Sequence, residues 1–166
     1  MMESDTLTWK AVYTKPRNEK KVAQRLGELG IEVYCPLRKT LKQWSDRKKW
    51  VEEPLFSSYV FVRVSEQQRS EVLLDPGVVA FLFWLGKPAV IRENEIQAIR
   101  DFIENHPSAQ ARAMEVMKGQ RVSIKGGPMK DHQGVVRRSE KGRVIIEIDS
   151  MGMELIADVS KDDLIG

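Results

Sequence analysis

The sequence predicts an α+β fold, an antiparallel sheet with helices, followed by a small all-β barrel of the SH3-like type. Apolar residues alternate over residues 8–14, and a strand apolar on both faces begins at Tyr59. From Lys118 onward the chain changes to short strands separated by glycine turns, the pattern of a small barrel. The expected domains are residues 7–105 and 118–166, joined by a linker over 106–117.

Composition restricts the class of protein. The 166 residues are 42% hydrophobic and 31% charged, which is ordinary for a globular protein, and no apolar run approaches the roughly 20 residues that span a bilayer. The acidic N-terminus is unlike a secretory signal. With one cysteine (Cys35), two histidines and no phosphate-binding loop, we expect no disulfide, metal, cofactor or enzymatic activity. A cytoplasmic monomer without membrane contact is predicted.

Positive charge is concentrated in the first third of the chain. Residues 1–50 hold 12 lysines and arginines against 6 acidic residues, whereas residues 51–117 hold 6 against 10. Residues 118–166 are nearly balanced, with 9 against 8. This asymmetry favours a local contact with a polyanion over uniform stickiness.

A helix is expected to begin near Asn18, a good N-cap residue, and to end at Gly30. Its basic residues include three at a spacing of four, which places them on one solvent face. This face is either simply solvated or a phosphate-contacting stripe. The basic residues are Lys15, Arg17, Lys20, Lys21 and Arg25.

Residues 37–51 read as a hairpin with a basic tip. Trp44 and Trp50 are interleaved with the cations Arg38, Lys39, Lys42, Arg47, Lys48 and Lys49. Cations mixed with aromatic rings suit nucleic acid, through phosphate pairing and base stacking. A protruding hairpin with no specific role is the alternative.

The strand that begins at Tyr59 is expected to be central. Tyr59 and Phe61 point to one face, and Val60 and Val62 to the other. We expect the domain's own helices on the valine face. The aromatic face needs another domain or a partner to cover it, although burial of the rings in the domain's own core is the alternative.

The remaining first-domain elements follow from local signals. Ser65 and Gln68 fit a capping box for a short helix in which Val72 and Leu73 face inward. A turn at residues 75–77 leads to a buried strand over residues 78–84 and, after a short edge segment, to a last helix that ends near Asn105.

Several motifs now occur in a recognisable order. They are Pro54 to Val62, Asp75 to Phe83 with Lys87-Pro88, and a KOW-type signature in Gly119 to Val122 and Gly126 to Val136. With them the chain resembles the NusG family of transcription elongation factors. Ser57-Ser58 stands where the housekeeping factor usually has Pro-Gly, and the segment Glu53 to Phe56 before it is closer to the specialised RfaH-like antiterminator paralogs. The alternatives are the general housekeeping factor and an RNA- or ribosome-binding KOW protein.

The resemblance implies binding roles for four groups of residues. An apolar patch would grip the clamp helices of the RNA polymerase β′ subunit, a second contact would reach the β side of the cleft, and the first helix would touch non-template DNA. The KOW domain would recruit the ribosomal protein NusE or the terminator Rho, unless its methionines only cap the barrel core. The implied residues are Tyr13, Phe56, Tyr59 and Phe61 for the clamp; Arg69, Ser70 and Glu71 for the second contact; the five basic residues above for DNA; and Met151, Gly152 and Met153 for the KOW partner.

Overall fold

The computed structural model describes residues 6–114 and 136–158. Its first unit is a five-stranded antiparallel sheet with strand order β2-β5-β1-β6, in which β9 also pairs with β1. The sheet strands and the helices of this unit are β1 (Thr8–Thr14), α1 (Glu19–Glu28), β2 (Glu32–Tyr34), β5 (Tyr59–Val64), α2 (Arg69–Leu73), β6 (Val78–Phe81), β9 (Val90–Ile91) and α3 (Glu93–Asn105).

Two pairs of strands lie outside this sheet. The strands β3 (Leu37–Trp44) and β4 (Arg47–Pro54) form a two-stranded hairpin, and β7 (Phe83–Trp84) pairs with β8 (Lys87–Pro88). The predicted hairpin is confirmed and extends three residues further than expected. Its two strands join at Ser45-Asp46, where Ser45 has a φ of 51°.

The two faces of the five-stranded sheet are covered by different elements. Val12, Val60 and Val62 pack with Val22 and Leu26 of α1 on one face. On the other face, the β1 and β5 residues Trp9, Ala11 and Phe61 belong to a cluster with α3 and with the C-terminal strands. The prediction that Val60 and Val62 face a helix of the domain is therefore confirmed. Much of the aromatic face is covered by other parts of the same chain.

The C-terminal unit is all β in the part that the structure describes. Its antiparallel sheet has strand order β10-β13-β12-β11, from β10 (Gln110–Ala113), β11 (Val136–Glu140), β12 (Arg143–Ile148) and β13 (Met153–Asp158), with a 3-10 turn at Asp149–Met151. The α+β class with an all-β second unit is confirmed. The KOW signature between 119 and 135 lies outside the described residues.

One strand of this second sheet comes from the stretch predicted to be a linker. Gln110 of β10 pairs with Ile156 of β13, and the pairing continues to Ala113 and Met153. The small residues of this stretch gave no apolar stripe, which is why the sequence indicated a linker. A short strand that is held by pairing with a neighbouring strand needs no such stripe.

Local signals near α2 are confirmed only in part. The Ser65 N–H donates to Gln68 Oε1 at 3.0 Å and the Gln68 N–H donates to Ser65 Oγ at 3.4 Å, so the capping box is present. Val72 is buried, but the inward orientation predicted for Leu73 is wrong, because a five-residue helix turns only a narrow face to the sheet. The buried strand predicted over 78–84 is also wrong: it divides into β6 and β7, and Val79 and Phe83 are exposed.

Candidate functional surfaces

An aromatic pair lies on the sheet face opposite α1. Tyr13 and Tyr59 are cross-strand neighbours in β1 and β5, with ring centroids 4.7 Å apart and ring planes inclined by 34°. Tyr13 is 44% exposed and Tyr59 is half-buried. Burial first, and the neighbouring Tyr13 hydroxyl second, raise the pKa of Tyr59. The pair therefore offers aromatic surface on this face of the sheet.

The other two residues of the implied clamp patch lie inside the protein. Phe56 and Phe61 are 1% and 0% exposed, and their rings meet edge to face with centroids 5.4 Å apart. Both belong to the cluster that includes Ile96, Ile99 and Ile146. The structure thus separates the four residues into an exposed tyrosine pair and a buried phenylalanine pair behind it.

The turn at Ser57-Ser58 positions Tyr59. Ser58 has a φ of 67°, in the left-handed region that favours glycine. Its N–H donates to Glu19 Oε2 at 2.7 Å, and its carbonyl accepts from the Thr14 N–H at 2.9 Å. These two bonds fasten the start of β5 to α1 and to the end of β1, so the tyrosines are held in register.

Arg25 is engaged within the protein. Its Nε and Nη2 donate to the two carboxylate oxygens of Asp75, at 2.9 and 2.8 Å. The Asp75 Oδ1 also accepts from the Gly77 N–H at 2.8 Å. The hydrogen bond from Arg25, supported by the Gly77 N–H, lowers the pKa of Asp75. Arg25 therefore fixes the turn after α2, with two of its guanidinium nitrogens engaged by Asp75.

Arg17, Lys20 and Lys21 line a cleft of about 720 Å³ between the start of α1 and the base of the β3–β4 hairpin. Lys20 Nζ donates to the Glu52 carbonyl at 3.0 Å across this cleft. Lys15, Arg17 and Lys21 are exposed. The structure thus brings four of the five implied DNA-binding residues to the beginning of α1.

The implied second contact lies on the α1 side of the sheet, where Val72 packs in the same cluster as Val22 and Leu26. The Arg69 guanidinium stands 5.1 Å above the Phe81 ring and its Nη1 pairs with Glu66 at 2.9 Å. Ser70 and Glu71 are exposed. Of the three residues, two are thus open to a partner, and they lie on the face opposite the tyrosine pair.

The turn that was implied to meet a KOW partner instead meets the first unit. Met151 is 3% exposed, and a Cβ at Gly152, whose φ is 66°, would come within 2.4 Å of the Trp84 ring. Ser150 Oγ and N–H both donate to the fully buried Glu95 of α3, at 2.5 and 3.2 Å. Met153 is half-buried against the same cluster. This turn holds the two units together.

Sequence reasoning did not identify Glu95 or Asp75, the two acids that organise these surfaces. Glu95 also accepts the Arg92 N–H at 2.9 Å, which is the bond that a carboxylate makes in the first turn of a helix. That local pattern was visible in the sequence. Its second partner, 55 residues away, was not.

Across residues 6–114 and 136–158, no group of three or more histidine, cysteine or acidic side chains could hold a metal ion. No helix in these ranges is long and apolar enough to cross a membrane. An exposed aromatic pair, a basic helix start and two joined units are the features of a binding protein. Their arrangement provides surfaces for partners.

Comparison with known proteins identifies the family. Residues 7–100 match the family model described as "Transcription termination factor nusG". Because this match covers more than half of the chain, the chain belongs to the NusG family of transcription factors.

Two curated relatives agree with this assignment. The chain is 25% identical over 163 residues to the transcription termination/antitermination protein NusG of Rickettsia bellii, covering 90% of this chain and 85% of that protein. It is 25% identical over 126 residues to the protein of the same name from Haemophilus influenzae, covering 73% and 68%. A solved structure described as "Domain interaction in Thermotoga maritima NusG" is similar at 20% identity, with a TM-score of 0.48 over 93% of this chain and 95% of that one.

Proposed function

We propose that this chain binds RNA polymerase during elongation and suppresses pausing and termination. The observation that carries the proposal is the Tyr13–Tyr59 pair, exposed on the sheet face opposite α1 in a member of the NusG family. Exposed aromatic side chains backed by a packed core are the usual anchors of protein interfaces, each often worth more than about 2 kcal/mol. The proposed target is the clamp helices of the β′ subunit.

The two phenylalanines support this contact from behind. Phe56 and Phe61 are covered in the closed arrangement of the two units, so the first contact with the clamp is made by the tyrosines. Ser70 and Glu71 are exposed at the other face of the sheet and are the proposed contact to the β subunit. A protein that touches both sides of the polymerase cleft keeps the clamp closed, and a polymerase whose clamp stays closed pauses less.

The non-template DNA contact is proposed for the beginning of α1. Lys15, Arg17 and Lys21 are exposed and Lys20 borders the same cleft, whereas Arg25 is held by Asp75. Four phosphate contacts on single-stranded DNA predict a salt slope near −3, at about −0.7 per contact. Arg25→Ala is expected to leave this slope unchanged, and Lys21→Ala to reduce it by about 0.7.

The C-terminal unit is proposed to recruit NusE or Rho, with Met153 at the edge of that contact. Ser57-Ser58 supports a specialised role for the chain, because a serine in the left-handed region replaces the glycine usual in the general factor.

A pull-down with core RNA polymerase tests the clamp contact. Tyr59→Ala and Tyr13→Ala should lose most of the polymerase retained by the wild type, because each removes half of the aromatic pair. Leu29→Ala is the matched control, since Leu29 is 59% exposed and follows α1, on the other side of the sheet. Circular dichroism should show that all three variants are folded. Retention of polymerase by both folded tyrosine variants would contradict the proposal.

A further inference from the structure

The β3–β4 hairpin, residues 37–54, is a surface that the polymerase proposal does not use. We call it the arm. Among the described residues its strands pair only with each other, over eight positions from Leu37 with Pro54 to Trp44 with Arg47. At about 3.3 Å per residue the arm is roughly 25 Å long. Every residue from 41 to 50 is exposed.

The base of the arm is firmly attached. Arg38 donates from Nε to the Ala109 carbonyl at 2.7 Å and from Nη2 to the Ser108 carbonyl at 3.2 Å. Its Nη1 donates to Thr40 Oγ1 at 2.7 Å and pairs with Glu53 at 2.9 Å. The arm is therefore presented to solvent in a defined orientation.

Each face of the arm carries one tryptophan among cations. Cross-strand register places Trp50 beside Leu41 on one face, with Lys39 and Lys48 as its neighbours. The other face carries Trp44 with Arg47, Lys42 and Lys49. The two indoles are 53% and 56% exposed, although tryptophan is usually well buried.

The cations of the arm are mostly free. Within the described residues, the side chains of Lys39, Arg47, Lys48 and Lys49 make no hydrogen bond or ion pair, and Lys42 pairs with Glu53 only at 3.6 Å. Between residues 39 and 50 the arm carries five basic residues and one acid. Such a surface attracts a polyanion strongly at low salt.

We propose that the arm is a second nucleic-acid contact, and that its ligand is a single strand. Phosphates would pair with the free cations, and unstacked bases would lie on Trp44 and Trp50. A duplex offers phosphates but keeps its bases stacked, so it leaves the indoles without partners. An anionic membrane would engage only one indole, because the two lie on opposite faces of the ribbon. The cleft lined by α1 cations reaches the base of the arm, so one strand could follow both surfaces.

Anisotropy titrations of the full chain test this proposal without polymerase. The probes are labelled oligo-dT and oligo-rU of about 20 nucleotides, longer than usual single-strand sites, and a duplex of the same length. Trp44→Ala/Trp50→Ala should weaken single-strand binding by about thirtyfold or more with an unchanged salt slope, because stacking carries no charge. Lys48→Ala/Lys49→Ala should instead reduce the slope by about 1.4.

Two controls separate stacking from loss of apolar surface or of fold. Leu41→Ala removes an exposed apolar side chain beside Trp50 and should bind like the wild type. Trp44→Phe/Trp50→Phe keeps aromatic faces and should retain most of the affinity. Preference for oligo-dT or for oligo-rU identifies DNA or RNA as the source of the strand, and either supports the proposal.

Three results would overturn the proposal. They are unchanged binding in the folded Trp44→Ala/Trp50→Ala variant, an equal loss in Leu41→Ala, and duplex binding as tight and as tryptophan-dependent as single-strand binding. None of them bears on the polymerase contact, which is tested at Tyr13 and Tyr59. Loss of polymerase binding in the tyrosine variants would likewise leave the arm proposal standing.

Discussion

The aromatic face formed by the strands β1 and β5 is covered at one end and exposed at the other. At the covered end, Ala11 opposes Phe61 beneath α3 and the C-terminal strands, and both are fully buried. At the open end, two residues further along, Tyr13 opposes Tyr59 and is 44% exposed. Alternation along a strand determines the face on which a side chain lies. Elements far away in the chain determine whether that face is covered, and this distinguishes core from binding surface.

The largest expected difference between the ends is in stability. Phe61→Ala should lower the free energy of unfolding by about 3–5 kcal/mol, because it leaves a cavity in a packed core. Tyr13→Ala should cost about 1 kcal/mol, mainly its contact with the Tyr59 ring. Urea unfolding measures the loss of stability in each variant, provided that the m-values of the variants and the wild type are equal. Equal losses at the two ends would contradict the comparison.

The contact that holds the C-terminal unit over the covered end can be weakened by removing a single hydroxyl. Ser150→Ala removes the hydroxyl that donates to buried Glu95, and should cost about 1–3 kcal/mol, the range for removing one partner of a buried polar group. Ser70→Ala is the matched control, because Ser70 is an exposed serine whose hydroxyl donates to the Gln67 carbonyl at 3.4 Å. In thermal unfolding, the Tm of Ser150→Ala should be clearly lower than that of Ser70→Ala. A Tm for Ser150→Ala equal to that of Ser70→Ala would show that the contact does not stabilise the protein.

The turn just before the open end carries a strained serine. Ser58→Gly should raise the free energy of unfolding by about 0.5–1 kcal/mol, since relief of the left-handed conformation outweighs the extra entropy of the unfolded glycine. Both hydrogen bonds at this position come from the main chain and survive the change. Ser57→Gly, at a residue without positive φ, should give no gain. Stabilisation by both glycines alike would point to another cause.

The smallest effect concerns alkaline pH. Because folding raises the pKa of Tyr59, the unfolded chain loses this proton first, and stability falls as pH rises above the usual tyrosine pKa of about 10. Tyr59→Phe removes this titrating group and should flatten the decline that begins at about pH 10. Urea unfolding at several pH values measures the slope. Parallel declines in the two proteins would rule out Tyr59 as the source.

Sequence predicted the elements whose causes are local. Asn18 and Gly30 flank α1, although the Asn18 side chain donates to the Pro16 carbonyl and does not cap the helix. Ser65 and Gln68 form their capping box, and the basic hairpin lies where it was expected. Each of these signals acts within a few residues, so it can be recognised in a short stretch of sequence.

The features that sequence missed depend on distant partners. From the sequence, Arg25 looks like one more cation of a stripe, but its Nε and Nη2 both donate to Asp75, which lies 50 residues later. The pairing of β10 with β13 and the bond from Ser150 to Glu95 have the same character. Sequence therefore predicted which residues could form the candidate surfaces, but not which of them the fold would leave free.

The pairing of β10 with β13 also sets an order of events during synthesis. All strands of the first sheet exist once Ile91 has been made, whereas the second sheet needs Asp158 at the end of β13. At about 5–20 residues per second, roughly 3 to 13 s separate the two. During that interval the nascent chain lacks the strands that cover Phe61 and Ile96 in the finished protein. The strands β12 and β13, which are translated after the first sheet, thus cover part of its aromatic face and shield it from other chains.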